Sequence, residues 1–271
     1  MSLTGPVAGE REPGAALAGI LALSRRAIVG AARQPASWIP GIFFPFMLAA
    51  VYSSQFSKAV DLPAFPFQDI TFLDFILIAG VIQGVSFGSI NGASALARDI
   101  EDGFMDRLLA SPIARASILV GRLAGSLAFA VMQALVLMAI FTLMGADIAG
   151  GPVTVATIVL VAALLATGIG GLGAALALKT GSQEVVQSTF PLLFVLIFVS
   201  SAFFPVSLME GWYAEVARRN PMTWVIDPAR RLTVEGFAWG DLAQAVGVAG
   251  AIAAVGLLVG FWQLQRRVAR T

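Results

Sequence analysis

The chain contains no cysteine and no histidine, and only 12% of its 271 residues are charged. Without those two side chains it has neither the thiolate and imidazole ligands of zinc sites nor the imidazole base of most hydrolytic triads. Missing cysteines exclude no compartment, because disulfides are not required of a membrane bundle. Catalytic motifs are missing too: there is no Gly-x-Ser-x-Gly elbow and no His-Glu-x-x-His pair. The nearest approach to a phosphate loop, residues 173–180, ends in Lys179-Thr180 but lacks the second glycine and closes an apolar run. A net charge of +1 gives no reason to invoke nucleic acid. Charge is also scarce inside the apolar stretches, which hold Gln83, Asn91, Gln133 and Gln187, whereas Asp74, Arg122, Lys179 and Glu184 fall near their ends. Carriers driven by proton or sodium gradients need intramembrane ionisable groups, so self-powered transport is disfavoured. The chain is expected to be no enzyme.

Apolar sequence is what the chain has in abundance: 58% hydrophobic residues and a mean hydropathy of +0.86. Crossing the ~30 Å hydrocarbon core takes about 20 apolar residues. Six stretches suffice, at about 38–56, 73–96, 116–144, 153–178, 185–204 and 242–264. These predict an all-α integral membrane protein with six transmembrane helices in one domain, residues 35–270. Residues 1–14 are polar and Gly/Pro-containing, expected to be disordered, and show no signal-peptide pattern. Residues 15–34 are expected to form an interfacial helix, with Leu17, Ile20, Leu21, Ser24, Ile28 and Ala31 on one stripe. A short helix leading into the first span is the alternative. With both termini placed in the cytoplasm, 12 basic residues fall inside and 5 (Lys58, Arg218, Arg219, Arg230, Arg231) fall outside. The positive-inside rule favours that orientation.

Several local patterns stand out. Pro40 and Pro45 lie within the first stretch, which is expected to be kinked or packed where neighbours re-satisfy the freed carbonyls. Gly80, Gly84, Gly88 and Gly92 recur every fourth residue in the second stretch and predict a helix-packing groove. Gly121/Gly125 and Gly256/Gly260 repeat the spacing. After Phe204-Pro205, Ser207 and Glu210 read as a capping box opening a helix that ends at Asn220-Pro221. Asp227-Pro228 reads as N-cap and first residue of another helix ending near Gly236. Glu215 is expected to pair with Arg218 or Arg219, and Asp227 with Arg230 or Arg231. With Trp212, Tyr213 and Trp224, this segment predicts short helices dipping into the outer leaflet. Between the second and third stretches, residues 101–112 read EDGFMDRLLASP. Phe104, Leu108 and Leu109 share one side of a helix, acidic residues sit early, Arg107 sits later, and Pro112 ends it. Three acidic residues in its first half would be repelled by anionic headgroups, which favours docking of a soluble protein over resting on lipid.

Glu101-x-Gly103-x-x-x-Arg107-Leu108, followed by Ser111-Pro112 and Gly121-Arg122, resembles a stretch of type-2 ABC exporter permeases. Three further pieces match in order: Arg33-x-Pro35 with Pro45, then Phe204-Pro205, then Asn220-Pro221-Met222-Thr223 with Asp227 and Arg230. The likeness runs from about residue 15 to the end and is nearest in flavour to the daunorubicin-resistance and nodulation-factor group. It departs at Pro228, where that family often continues a helix.

The resemblance implies that residues 101–112 form a cytoplasmic coupling helix, with Glu101, Gly103, Phe104, Arg107, Leu108 and Pro112 meeting a separate ABC-type ATPase subunit. It also implies a second permease protomer, identical or paralogous. ATP and Mg would then sit on the partner, with no cofactor or metal in this chain. The expected function is ATP-driven export of an amphipathic drug, lipid or glycolipid across a bacterial inner membrane. Pro205, Asn220, Pro221, Asp227 and Arg230 are candidates for an outer gate. Two other readings stay open: a membrane anchor for a soluble partner, and an autonomous channel or carrier.

Overall fold

The computed structural model describes Val29, residues 35–104 and residues 115–269. The expected disordered start, the interfacial helix at 15–34, and Arg107, Leu108, Ser111 and Pro112 lie outside these residues. Among the described residues the chain is helical without strands. The helices are α1 (Pro35–Gln55), α2 (Phe72–Glu101), α3 (Arg115–Leu143), α4 (Gly151–Thr180), α5 (Gln183–Gln187), α6 (Phe190–Phe198), α7 (Gly211–Arg219), α8 (Pro221–Val234) and α9 (Trp239–Val268).

Four of them, α2, the Gly125–Leu143 part of α3, α4 and α9, are long and apolar enough to cross a membrane. The fifth apolar stretch, expected as one helix over 185–204, is instead broken into α5 and α6. Pro191 has no amide hydrogen to continue the helix. Ser188 and Thr189 close a tight turn there, their hydroxyls donating to the Val185 and Val186 carbonyls. The broken stretch still runs the height of the bundle. Gln183 meets Glu101 at the end of α2, and Ser201 and Ala202 share a partner with Phe75 near its start.

α2 is the axis of the bundle: 94% of its most apolar window is buried, against 22% for α9. It packs on α1, α3, α4, α5, α6 and α8. Its N-terminus is fixed by a capping box, in which Thr71 accepts from the Asp74 amide and Asp74 accepts from the Thr71 amide at 2.7 Å. The other Asp74 oxygen accepts from the Asp147 amide at 2.7 Å, tying in the α3–α4 turn. Arg98, Lys179, Arg266 and Arg267 gather at the opposite end of the bundle from Lys58, Arg218, Arg219 and Arg231.

Small residues set the closest approaches. Gly80, Gly84, Gly88 and Gly92 face Phe141, Leu137, Gln133 and Ser126 of α3 in turn. α4 and α9 touch backbone to backbone, with Gly168 and Gly171 against Gly256 and Gly260. Pro45 cannot donate to the Gly41 carbonyl four residues earlier; buried Gln133 does so instead, its Nε2 lying 2.9 Å from Gly41 O and 3.0 Å from Gly84 O. One amide thereby joins α1, α2 and α3, in a niche that only glycine at positions 41, 84 and 88 leaves open.

Two expected helix starts in the outer segment are corrected. Ser207 and Glu210 form no capping box: Val206–Leu208 is a 3-10 turn, and α7 begins at Gly211 with no side-chain cap. Gly211 has φ +62°, a conformation suited to glycine, and this sets the helix start after Glu210. Asp227-Pro228 does not open a helix either. Asn220 is the N-cap of α8, accepting from the Met222 amide at 2.8 Å, with Pro221 as first residue; Pro228 lies inside the helix.

Gly256→Leu should force α9 off α4 and destabilise the protein by about 1–3 kcal/mol, as overpacking does. Gly250→Ala, where an added Cβ meets nothing within 4 Å, should be neutral or slightly stabilising. Gln133→Leu should cost about 1–3 kcal/mol by leaving the Gly41 carbonyl without its donor. Detergent-resolved thermal melts of the three variants check all these expectations.

Candidate functional site

The chain between the broken stretch and α9 is fastened to that stretch by hydrogen bonds to its backbone. A helix leaves its last four carbonyls without helical partners. In α6 and the turn after it, each is accounted for. Val195 O accepts from the Val199 amide, and Ile197 O from the Ser200 amide and hydroxyl. Leu196 O accepts from Asn220 Nδ2 at 2.7 Å, and Phe198 O from the Tyr213 hydroxyl at 2.6 Å. The Ser201 amide donates to Thr223 Oγ1 at 3.0 Å. α7 and α8 together therefore supply the C-terminal cap of α6.

Arg230 completes this attachment. Its guanidinium is 1% exposed and donates through Nε to Phe75 O (2.7 Å), through Nη1 to Asp227 Oδ1 (3.1 Å), and through Nη2 to Ser201 O and Ala202 O (both 2.9 Å). The guanidinium carbon also lies 3.8 Å from the centroid of the Phe75 ring. An arginine keeps its charge in a protein, and burying it unpaired would be prohibitive. Here one carboxylate, three carbonyls and a ring face receive it, binding α8 to α2 and to the turn after α6. Of the outer-gate candidates, Asn220 and Arg230 thus converge on residues 196–202, and Asp227 joins them only through its ion pair with Arg230. Pro221 sets the start of α8, and Pro205 is buried just before the 3-10 turn. Glu215 pairs with both Arg218 and Arg219, whereas Arg231 pairs with Asp241 of α9 rather than with Asp227.

At the opposite end, Glu101 closes α2, and Gly103 turns the chain with φ +67°. Glu101 is exposed, Gly103 and Phe104 half-buried. The Glu101 carboxylate accepts from the Gln183 amide at 2.7 Å, and Arg98 Nε donates to Gln183 Oε1 at 2.9 Å. Between the two ends, aromatic rings of α1, α2, α6 and the turn after α6 form a ladder. Phe87 stands 4.3 Å from Phe190, Phe194 4.8 Å from Phe198, Phe198 4.7 Å from Phe203, and Phe203 5.3 Å from Tyr52 by ring centroids.

Sequence reasoning noted Tyr213 and Thr223 but assigned neither a capping role, and it missed Gln183 and the carbonyl partners at 75, 196, 198, 201 and 202. One signal was available for Arg230: an arginine following an apolar run, with an aspartate three residues earlier to share its charge.

Residues 18–233 match the family model described as "ABC-2 type transporter". The chain is 26% identical over 237 residues to the "Putative transport permease ycf38" of Porphyra purpurea, covering 83% of this chain and 80% of that one. A protein of the same description from Cyanophora paradoxa is 27% identical over 220 residues, 79% of this chain and 73% of the relative. The "Daunorubicin resistance ABC transporter permease protein DrrB1" of Streptomyces coeruleorubidus is 25% identical over 252 residues, 92% of this chain and 87% of the relative.

Arg230→Met should be among the most damaging single substitutions, costing about 3–5 kcal/mol because Asp227 and the carbonyls lose their shared donor. Asp227→Asn should cost far less, since that side chain is 35% exposed and its amide oxygen still accepts. Folded yield on size exclusion and thermal midpoints in detergent measure the difference.

Proposed function

The chain belongs to the ABC-2 type transporter family, and from that premise we propose that it is the membrane subunit of an ATP-driven exporter. ATP is hydrolysed on a separate ABC-type subunit, and two permease protomers, identical or paralogous, together form the path. The observation that carries this reading is the family match over residues 18–233, joined to a fifth stretch held at both ends of the bundle. Such a stretch offers a mechanical link between a docking insert on one side and an outer closure on the other.

In this reading the chain crosses a bacterial inner membrane six times, α1 and the broken α5–α6 stretch supplying the first and fifth crossings. The end bearing Arg98, Lys179, Arg266 and Arg267 faces the cytoplasm with both termini, as the positive-inside rule favours. Residues 101–112 receive the ATPase subunit there. At the other end the α7–α8 segment, pinned by Asn220 and Arg230, is the outer gate. Trp212 and Trp239, both largely exposed, suit the headgroup level.

The aromatic ladder supports an amphipathic cargo: stacked rings present apolar, polarisable surface, while the described spans place no free carboxylate or ammonium beside it. A daunorubicin-resistance permease among the relatives points the same way, to a drug-like molecule.

Affinity purification from the native membrane in mild detergent should recover a soluble ABC-type ATPase in stoichiometric amount. Reconstituted with that subunit, the chain should move daunorubicin only when ATP is supplied. Recovery of the chain alone, repeated in nanodiscs, together with ATP-independent flux in proteoliposomes, would replace this reading with a channel or carrier.

A further inference from the structure

The carboxylate that ends α2 points back to the broken stretch. Glu101 stands one residue before the Asp102-Gly103 turn, and one of its oxygens accepts from the amide of Gln183, the first residue of α5, at 2.7 Å. One turn earlier on the same face, Arg98 holds the Gln183 side chain at 2.9 Å. Gln183 is thus gripped through its backbone and its side chain by the last turn of α2. The grip has apolar backing: Val186, 0% exposed, sits in a cluster with Ile90, Ala97, Ile100, Leu178 and Leu264. Gly181, at φ +64°, closes the α4–α5 turn against Ile100.

From Gln183 the chain runs to Ser201 and Ala202, whose carbonyls Arg230 holds at the far end. Side chains from other helices therefore fasten residues 183–202 at both extremities, and the helix break at Ser188-Thr189 lies between them. Glu101 and Arg98 thus connect the last turn of α2, beside Gly103, directly to the first residue of this stretch.

We propose that Glu101 is a positioning residue for coupling: it latches the root of the docking insert to the first residue of the broken fifth stretch, so that movement of the insert is passed along residues 183–202 to the outer segment. This rests on the docking reading given above for residues 101–112, and it assigns Glu101 a partner within the chain.

The N–H of Gln183 can be removed cleanly. Gln183 follows the N-cap Ser182, so it occupies the first helical position, where proline is accepted and where the N–H has no helical acceptor to lose. Ser182 already has φ −119° and ψ 123°, the extended backbone that a following proline requires. Gln183→Pro deletes the latch donor without touching Glu101, and Gln183→Ala removes only the Arg98 contact.

The latch is read first in the chain alone, by hydrogen–deuterium exchange at residue 183. Glu101→Ala should accelerate exchange there while the melting temperature stays unchanged, and Glu101→Gln, which keeps a neutral acceptor, should restore part of the protection. Unchanged exchange in Glu101→Ala would overturn the proposal. Coupling is read in the complex with its ATPase, using spin labels on a chain that has no native cysteine. Leu192→Cys on α6 and Leu258→Cys on α9, 72% and 70% exposed, should report a distance change on ATP binding. Gln183→Pro, which leaves the docking insert untouched, should abolish that change and lower permease-dependent stimulation of ATP hydrolysis about tenfold with the ATPase still bound. Glu101→Ala should abolish the change as well, and in complexes that retain the ATPase the double variant should be no worse than Gln183→Pro. Should Glu101→Ala instead lose the ATPase while Gln183→Pro behaves as the unsubstituted chain, Glu101 is a direct docking contact and the latch is wrong. If no ATPase binds the unsubstituted chain, the exporter reading fails on its own, and the exchange measurement still decides the latch.

Discussion

Pro45 leaves the Gly41 carbonyl without its helical donor inside the packed bundle, and buried Gln133 supplies one from a helix more than 90 residues away. The same constraint acts at other points of the bundle: a buried backbone group freed by a proline, a break or a helix end needs a protein partner. In α6 the partners are Asn220, Tyr213 and local amides. Arg230 serves the turn after it. Glu101 serves the first amide of α5. These are also the contacts that join one helix to another, so completing the backbone's hydrogen bonds and fixing the tertiary structure are one process here.

That economy has a mechanical side. α2 is a long, nearly wholly buried helix with a capped start, and α4 and α9 are locked together by glycine contacts. Against this frame, residues 183–202 form two short helices with a turn between, attached chiefly at their ends. A broken segment held at both ends can pivot at the turn while its attachments persist, whereas an unbroken helix would have to move whole. On the proposed reading, a docking event reaches the outer segment by this route.

Features governed by local spacing were legible in the sequence. The four-residue glycine row on α2 faces α3 along its length, and Glu215 pairs with arginines three and four residues on. Asp227 pairs with Arg230 at the helical spacing expected of it. Local patterns misled where backbone geometry overrode them. Ser207 and Glu210 had capping-box spacing, but a 3-10 turn and a left-handed Gly211 moved the helix start past both. Asp227-Pro228 had the form of a helix start, yet Asn220-Pro221 had already opened one, and the ion pair with Arg230 holds that turn inside it.

The sequence by itself determined that this is a membrane-type helical chain, that prolines free backbone carbonyls within its first apolar stretch, and that side chains three and four residues apart pair along its helices. Composition and short-range spacing carry that information, because hydrophobic burial and proline's missing amide act residue by residue. Only the tertiary structure decided which distant side chain answers each interruption. Arg230 reaches Phe75 across 155 positions and Gln133 reaches Gly41 across 92. A carbonyl accepts from whatever donor folding brings within about 3 Å, and no local pattern in the chain specifies which one that is.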